Sequence, residues 1–140
     1  MAKKSIQFHI VTPERKIFSQ EVLEVTVPTT NGYVTILPNH IPMVSIISVG
    51  ELRVKLSDGE MHPFAISSGI LEVQPSSKVV ILADRSEFAT EIDISRAEEA
   101  YKRAEEAMKV AHDAADVDYA RFEALMEKEL NRIHVAKRWK

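Results

Sequence analysis

The sequence predicts a chain in two parts, an antiparallel β-sandwich over residues 1–86 followed by an antiparallel two-helix hairpin over residues 87–140. Three observations predict it. All four glycines (Gly32, Gly50, Gly59, Gly69) and all six prolines (Pro13, Pro28, Pro38, Pro42, Pro63, Pro75) fall within the first 75 residues. Gly and Pro break regular structure more strongly than any other residues, so their confinement marks a change of architecture. The apolar period is two before that change and close to 3.6 after it.

In the first part, Leu23, Val25 and Val27 alternate with Glu24 and Thr26. Leu52, Val54 and Leu56 alternate with Glu51, Arg53 and Lys55 in the same way. Such alternation belongs to strands with one buried and one wet face. Asp58-Gly59 separates two of these runs and signals a hairpin, with a type I′ turn expected because that turn needs positive φ at both central positions. Val79-Val80-Ile81-Leu82 reads as a strand buried on both faces.

From about Glu87 onward, Ala97, Ala100, Tyr101, Ala104, Ala107, Met108 and Ala111 follow helical spacing. This stripe is mostly alanine, which lets a partner helix approach closely. A second helical run places Tyr119, Phe122, Met126 and Ile133 on one face, with Val117, Ala120 and Ala124 beside it. The join between the helices, His112-Asp113-Ala114-Ala115-Asp116, has neither Gly nor Pro. A turn and a continuous helix are both open to it. Residues 93–134 as one rod would be about 60 Å long at about 1.5 Å per residue, and a hairpin able to open in this way is a bistable element.

Composition narrows the function. The 140 residues are 45% hydrophobic and 28% charged, which is globular. There is no cysteine, so a disulfide framework, a thiolate metal site and a cysteine nucleophile are excluded. No stretch approaches the roughly 20 apolar residues of a membrane span, and a soluble chain without a secretory signal is expected. The net charge of −3 argues against a protein that grips nucleic acid. That charge is uneven. Residues 87–129 hold six basic and thirteen acidic side chains, whereas residues 130–140 hold four basic and no acidic ones.

The motifs point away from an enzyme. His9, His40, His62, His112 and His134 show no paired metal-ligand spacing, and Asp116-x-Asp118 is too common to read as a metal site. No phosphate-cradling glycine loop is present. Asp93-Ile94-Ser95-Arg96-Ala97 opens the first helix. Its plain reading is capping, by Asp93 or through a Ser95-x-x-Glu98 box. Its sharper reading is a nucleotide site, with Asp93 accepting hydrogen bonds while Arg96 and Arg103, seven apart on one face, meet phosphate oxygens. The basic tail Arg132, Lys137, Arg138 and Lys140 reads either as a solvated helix end complementing the dipole or as a dock for an acidic surface.

Taken together, these residues resemble a known family. Val11-Thr12-Pro13, Phe18-Ser19, Pro38-Asn39-His40 and Gly69-Ile70-Leu71-Glu72-Val73 are similar to the sandwich domain of ATP synthase epsilon subunits. Ile92-Asp93-Ile94-Ser95-Arg96-Ala97 is similar to that family's ATP-recognition motif, Ile/Leu-Asp-x-x-Arg-Ala. Asp116-Val117-Asp118-Tyr119-Ala120 sits where the second helix of such subunits begins.

The resemblance implies a ten-stranded sandwich that joins the gamma subunit to the ring of c subunits, on the cytoplasmic face of a bacterial membrane. Asn31, Gly32 and Tyr33, with His40, resemble the edge that meets the ring; Tyr33 stands where relatives often carry an acid. The resemblance also implies a non-catalytic role in ATP synthesis and proton transport, with no cofactor required and no membrane insertion. The hairpin would extend among the alpha and beta catalytic subunits to restrain hydrolysis, its Arg132, Lys137 and Arg138 near acidic loops. Folded, it would hold ATP as a regulatory ligand through Glu87, Ile92, Asp93, Arg96, Ala97, Arg103, Lys128 and Arg132. Lys128 replaces an arginine of strong binders. Two other readings stay open, a small bridging module of the same fold and a mitochondrial delta-type homologue. A nucleotide-hydrolysing enzyme would need the phosphate loop that is missing.

Overall fold

The structure, a computed structural model, describes residues 4–110 and 116–139, with backbone alone at 116–118. Seven strands come first: β1 (Ile6–Val11), β2 (Lys16–Thr29), β3 (Gly32–Ile36), β4 (Met43–Ile47), β5 (Gly50–Leu56), β6 (Met61–Gln74) and β7 (Lys78–Phe88). A 3₁₀ turn (Ala89–Glu91) leads to helices α1 (Ile94–Val110) and α2 (Asp116–Trp139). The chain divides into two compact units, Met1–Phe88 and Ala89–Lys140.

The pairings of the first unit close on themselves, running β1–β7–β6–β5–β2 and back to β1. Closure removes most of the unpaired edges that sheets otherwise expose. β4 and β5 lie end to end along β6, Met43 opposite Val73 and Gly50 opposite Ile66. β3 pairs with β2, through Val25↔Ile36 to Thr29↔Gly32.

The described residues contain seven strands where about ten were expected, because long strands change partner midway. β2 meets β1 through its first half and β3 through its second. β6 meets β5 through Met61–Ile66 and β4 through Gly69–Val73. The sandwich is not wholly antiparallel either, since β1 and β7 run parallel.

Phase changes follow from the same bending. In β2 the register shifts between Val22 and Glu24, so Val22, Val25 and Val27 face the core and Leu23 is only half-buried. Strict alternation from Leu23 therefore fails at this bulge. In β6 the core side chains are Phe64 and Ile66, then Leu71 and Val73, which is a change of parity. The expectation for β7 also needs correcting, because Ile81 is fully buried but Leu82 is 48% exposed. The run is apolar on both faces, yet one face looks outward, where Leu82 lies opposite Ile70 and Ile70 opposite Ile46.

The β5–β6 hairpin forms as expected, with a different turn. Gly59 has φ +89° and Asp58 is not in the left-handed region. The Leu56 N–H donates to the Glu60 carbonyl at 2.8 Å, and the Glu60 N–H donates to Asp58 Oδ1 at 2.9 Å. The Asp58 carboxylate stabilises a turn that needs one positive φ rather than two, the pattern of a type I turn closed by a bulge.

An aromatic cluster fills the end of the unit where β7 leaves it. Phe18 and Phe64 meet edge to face at 5.5 Å, while His62 stacks on Phe88 at 3.7 Å and 3°. On β1, burial and then the charges of Lys16 and Lys78 lower the His9 pKa from 6.5. Its Nδ1 shares a 2.8 Å hydrogen bond with Ser19 Oγ.

Gly69 is where β6 and β7 come closest. A Cβ there would stand 2.2 Å from the Leu82 carbonyl oxygen and 2.9 Å from the Ala83 Cα. Both obstacles are backbone, which cannot rotate away. Gly69→Ala should therefore cost about 1–3 kcal/mol or more, measured by urea unfolding of the full chain. An unchanged midpoint would contradict the stated packing.

Candidate functional site

The second unit gathers most of the residues singled out from the sequence. Its first helix starts at Ile94, with Asp93 as the residue before it. Asp93 Oδ1 accepts from the Arg96 N–H at 3.1 Å, and the Asp93 carbonyl accepts from the Ala97 N–H at 3.1 Å. Asp93 is thus the N-cap, satisfying an amide that the helix leaves without a partner and placing a carboxylate at the positive end of its dipole. The alternative box does not form, because Ser95 already lies inside the helix and Glu98 turns to Lys137. Ile92 and Ala97 are fully buried and fix the entry of α1, leaving Asp93 and Arg96 exposed.

Ala97 and Ala104, seven apart, are the buried residues of α1, with Ala100, Tyr101, Ala107 and Met108 half-buried beside them. That is the predicted stripe. In α2 the buried positions are Glu129, Ile133, Val135 and Ala136. Ile133 was expected; Phe122 and Met126 are half-buried, while Tyr119, Ala120 and Ala124 are exposed. Ala111 and most of the join, His112–Ala115, lie outside the described residues.

The helices are antiparallel, since Lys137 Nζ near the end of α2 stands 3.6 Å from Glu98 Oε1 near the start of α1. Both helices rise about 1.5 Å per residue. Arg103, five residues beyond Glu98, and Arg132, five before Lys137, therefore lie at about the same level of the hairpin. Lys128 is one turn from Arg132 on α2. Arg103 and Arg132 thus share a level, with Arg96 about two turns to one side of it and Lys128 about one turn to the other.

Arg132 does not behave as part of a solvated tail. Its Nη1 donates to Glu129 Oε2 at 2.7 Å, and the two side chains are 13% and 8% exposed. His134, Lys137 and Arg138 are the exposed members of that stretch. Sequence reading missed Glu129; its i, i+3 spacing from Arg132 on a helix was the available signal. Glu87 belongs to the first unit, on β7, where Arg85 Nε stands 3.4 Å from its Oε1.

Asn31 lies in the exposed β2–β3 turn and Gly32 and Tyr33 open β3, with Gly32 at φ +108°. The Thr29 hydroxyl ties it by donating to the Gly32 carbonyl at 2.6 Å. Tyr33 is 56% exposed, with the Arg53 guanidinium 5.8 Å from its ring centre and its hydroxyl accepting from the Glu51 N–H at 3.4 Å. His40 sits beyond the other end of β3, its Nδ1 2.7 Å from the Ile41 carbonyl oxygen. The Asn39 N–H in that loop donates to Ser77 Oγ at 2.7 Å. These four residues do not share one loop; they stand at the two ends of β3, where Tyr33, Thr35 and Leu37 form an exposed row. Among the described residues, no three or more His, Asp or Glu side chains cluster so as to hold a metal.

Comparison with known proteins matches both parts of the chain. Residues 5–89 match the family model described as ATP synthase, Delta/Epsilon chain, beta-sandwich domain. Residues 90–137 match the long alpha-helix domain of the same family. The ATP synthase epsilon chain of Chloroflexus aggregans is 50% identical over 131 residues, covering 94% of this chain and 91% of that one. The epsilon chain of Desulforamulus reducens is 39% identical over 133 residues, covering 95% and 98%. Among solved structures, a chain of the Euglena gracilis mitochondrial ATP synthase, OSCP/F1/c-ring, superposes with TM-score 0.79 at 20% identity, covering 94% of this chain and 81% of that one; it supports the fold. The chain therefore belongs to the ATP synthase delta/epsilon chain family. Its relatives in Chloroflexus aggregans and Desulforamulus reducens are ATP synthase epsilon chains.

The cap gives a test that separates structure from charge. Asp93→Ala should destabilise the helical unit by about 1 kcal/mol, read from thermal unfolding by circular dichroism. Asp93→Asn keeps an accepting oxygen and should restore most of that loss. Equal losses in the two variants would show that the cap is not what Asp93 contributes.

Proposed function

We propose that the chain is a non-catalytic rotor subunit of a bacterial, proton-translocating ATP synthase, peripheral on the cytoplasmic face of the membrane. It joins the gamma subunit to the c-ring and restrains ATP hydrolysis through its C-terminal hairpin, whose folded state binds ATP. The observation that carries the reading is the match of both family models in chain order, over 5–89 and 90–137. No helix among the described residues is long and apolar enough to cross a membrane, which suits a peripheral place.

Each contact has its own support. The outward apolar side chains Val44, Ile46, Ile70 and Leu82 are 71%, 62%, 46% and 48% exposed. An apolar face of this kind is what a permanent protein partner covers, and it suits the gamma subunit. β3 with Tyr33, and His40 beyond it, are the proposed contact with the c-ring. Tyr33 makes that contact polar and aromatic where an acid would make it a salt bridge.

Inhibition rests on the hairpin. ATP favours the folded state only by its differential affinity. When ATP falls, the extended state would carry Arg132, Lys137 and Arg138 toward the alpha and beta subunits. Hydrolysis by the purified synthase should rise when the full chain is replaced by one ending at Phe88. Equal rates would remove the inhibitory role and leave the stalk role standing.

For the folded state, Ile92, Asp93, Arg96, Ala97, Arg103, Lys128 and Arg132 of the second unit are the proposed ATP-binding set. Isothermal titration of the isolated chain should show ATP binding that Arg96→Ala weakens about tenfold or more, as expected for a lost charge-assisted hydrogen bond. Absence of heat up to millimolar ATP would abolish the nucleotide reading alone.

A further inference from the structure

A nearly buried ion pair of the second unit engages one of the proposed phosphate ligands. Arg132 Nη1 lies 2.7 Å from Glu129 Oε2, with 13% and 8% of the two side chains exposed. A guanidinium offers five donors in a fixed fork, and its value to a phosphate lies in presenting two of them together with a net positive charge. Here one terminal nitrogen is already committed at short range to a carboxylate. The pair as a whole carries no net charge.

We infer that Glu129 sets the nucleotide affinity of the hairpin by holding Arg132 against its own carboxylate; this rests on the nucleotide reading above. A phosphate arriving at Arg132 meets the Glu129 anion first. It must either share the guanidinium at the cost of anion–anion repulsion, or displace a carboxylate that is held in a setting with little water. Screening is weak for such a pair because both partners are nearly buried. Arg96 and Arg103 on α1 are exposed and carry the phosphate recognition that Arg132 withholds. Glu129 is thus a positioning residue and an internal competitor. It belongs to the same helical turn as the ligand it restrains, so its effect is built into α2 itself.

The alternative is that Glu129 is a structural counter-charge with no bearing on ligand, and the two readings differ in how charge-neutral variants bind. ATP and adenosine are titrated calorimetrically into the full chain, Glu129→Gln, and the double variant Glu129→Gln/Arg132→Gln, with helicity checked by circular dichroism. If Glu129 competes, Glu129→Gln binds ATP about tenfold tighter, the scale of a released charge-assisted hydrogen bond. Adenosine, which has no phosphate, gains nothing. The double variant returns to within about threefold of the parent, because Arg132 was already neutralised there.

Four outcomes overturn the inference. A folded Glu129→Gln that binds ATP no tighter than the parent overturns it while leaving nucleotide binding intact. So does an equal gain for adenosine, which would report a general loosening. Should Glu129→Gln lose its helicity, the charge-neutral double variant still decides, since a drop of hundredfold or more against the parent shows that Arg132 serves the ligand in full. No ATP binding by parent or any variant removes the nucleotide reading and this inference together.

Discussion

The first unit is organised by one strand. β6 carries β5 and then β4 along one edge and β7 along the other, so three strands take their register from it. Such sharing demands that β6 bend between its halves while staying paired on both edges. Gly69 stands at that bend, with the Leu82 carbonyl oxygen so near that a methyl group would overlap it. Because a one-residue slip exchanges the two faces of a strand, the position of this glycine helps decide which side chains of β6 and β7 enter the core. It also decides which apolar side chains, Ile70 and Leu82 among them, are left facing outward.

The second unit is held differently. Its α1 face buries two alanines, and an alanine methyl is worth about 0.8 kcal/mol when buried. Half-buried Tyr101 and Met108 add to this, but the exposed Glu98–Lys137 pair adds at most about 1 kcal/mol. The α1 contribution therefore sums to a few kcal/mol, where a leucine-lined seam would give several times more. The α1 side of the unit is thus lean, while Ile92, Ile133, Val135 and Ala136 supply the rest of its buried apolar surface.

Much of this was legible in the sequence, for reasons that differ by element. The boundary near Glu87 was visible because Gly and Pro act locally. The α1 stripe was visible because helical periodicity needs no knowledge of the partner. Strand count and phase were not, since the bulge at Val22–Glu24 and the partner change in β6 depend on tertiary pairing. Leu82 misled because hydrophobicity does not say whether a face is covered by the chain itself. At the candidate site, Asp93 could be read as a cap from its type and place. The burial of Arg132 was not legible, because it depends on which face of α2 is buried, and Glu129 was passed over as one more acid in an acidic segment.

The buried Glu129–Arg132 pair bears on both the fold and the switch. Ion pairs of this kind contribute little net stability against an apolar replacement, because desolvation offsets the attraction, so stability does not account for it. Its consequence for the ligand-free hairpin is more direct. Arg132 is held at 2.7 Å by the Glu129 carboxylate of its own helix, so that cation brings no net charge of its own to the hairpin. On the proposed nucleotide reading, the same tie would reduce what a nucleotide gains on binding, so the folded and ligated states would differ by less free energy. Responsiveness to ATP would then be set by how firmly Glu129 holds Arg132.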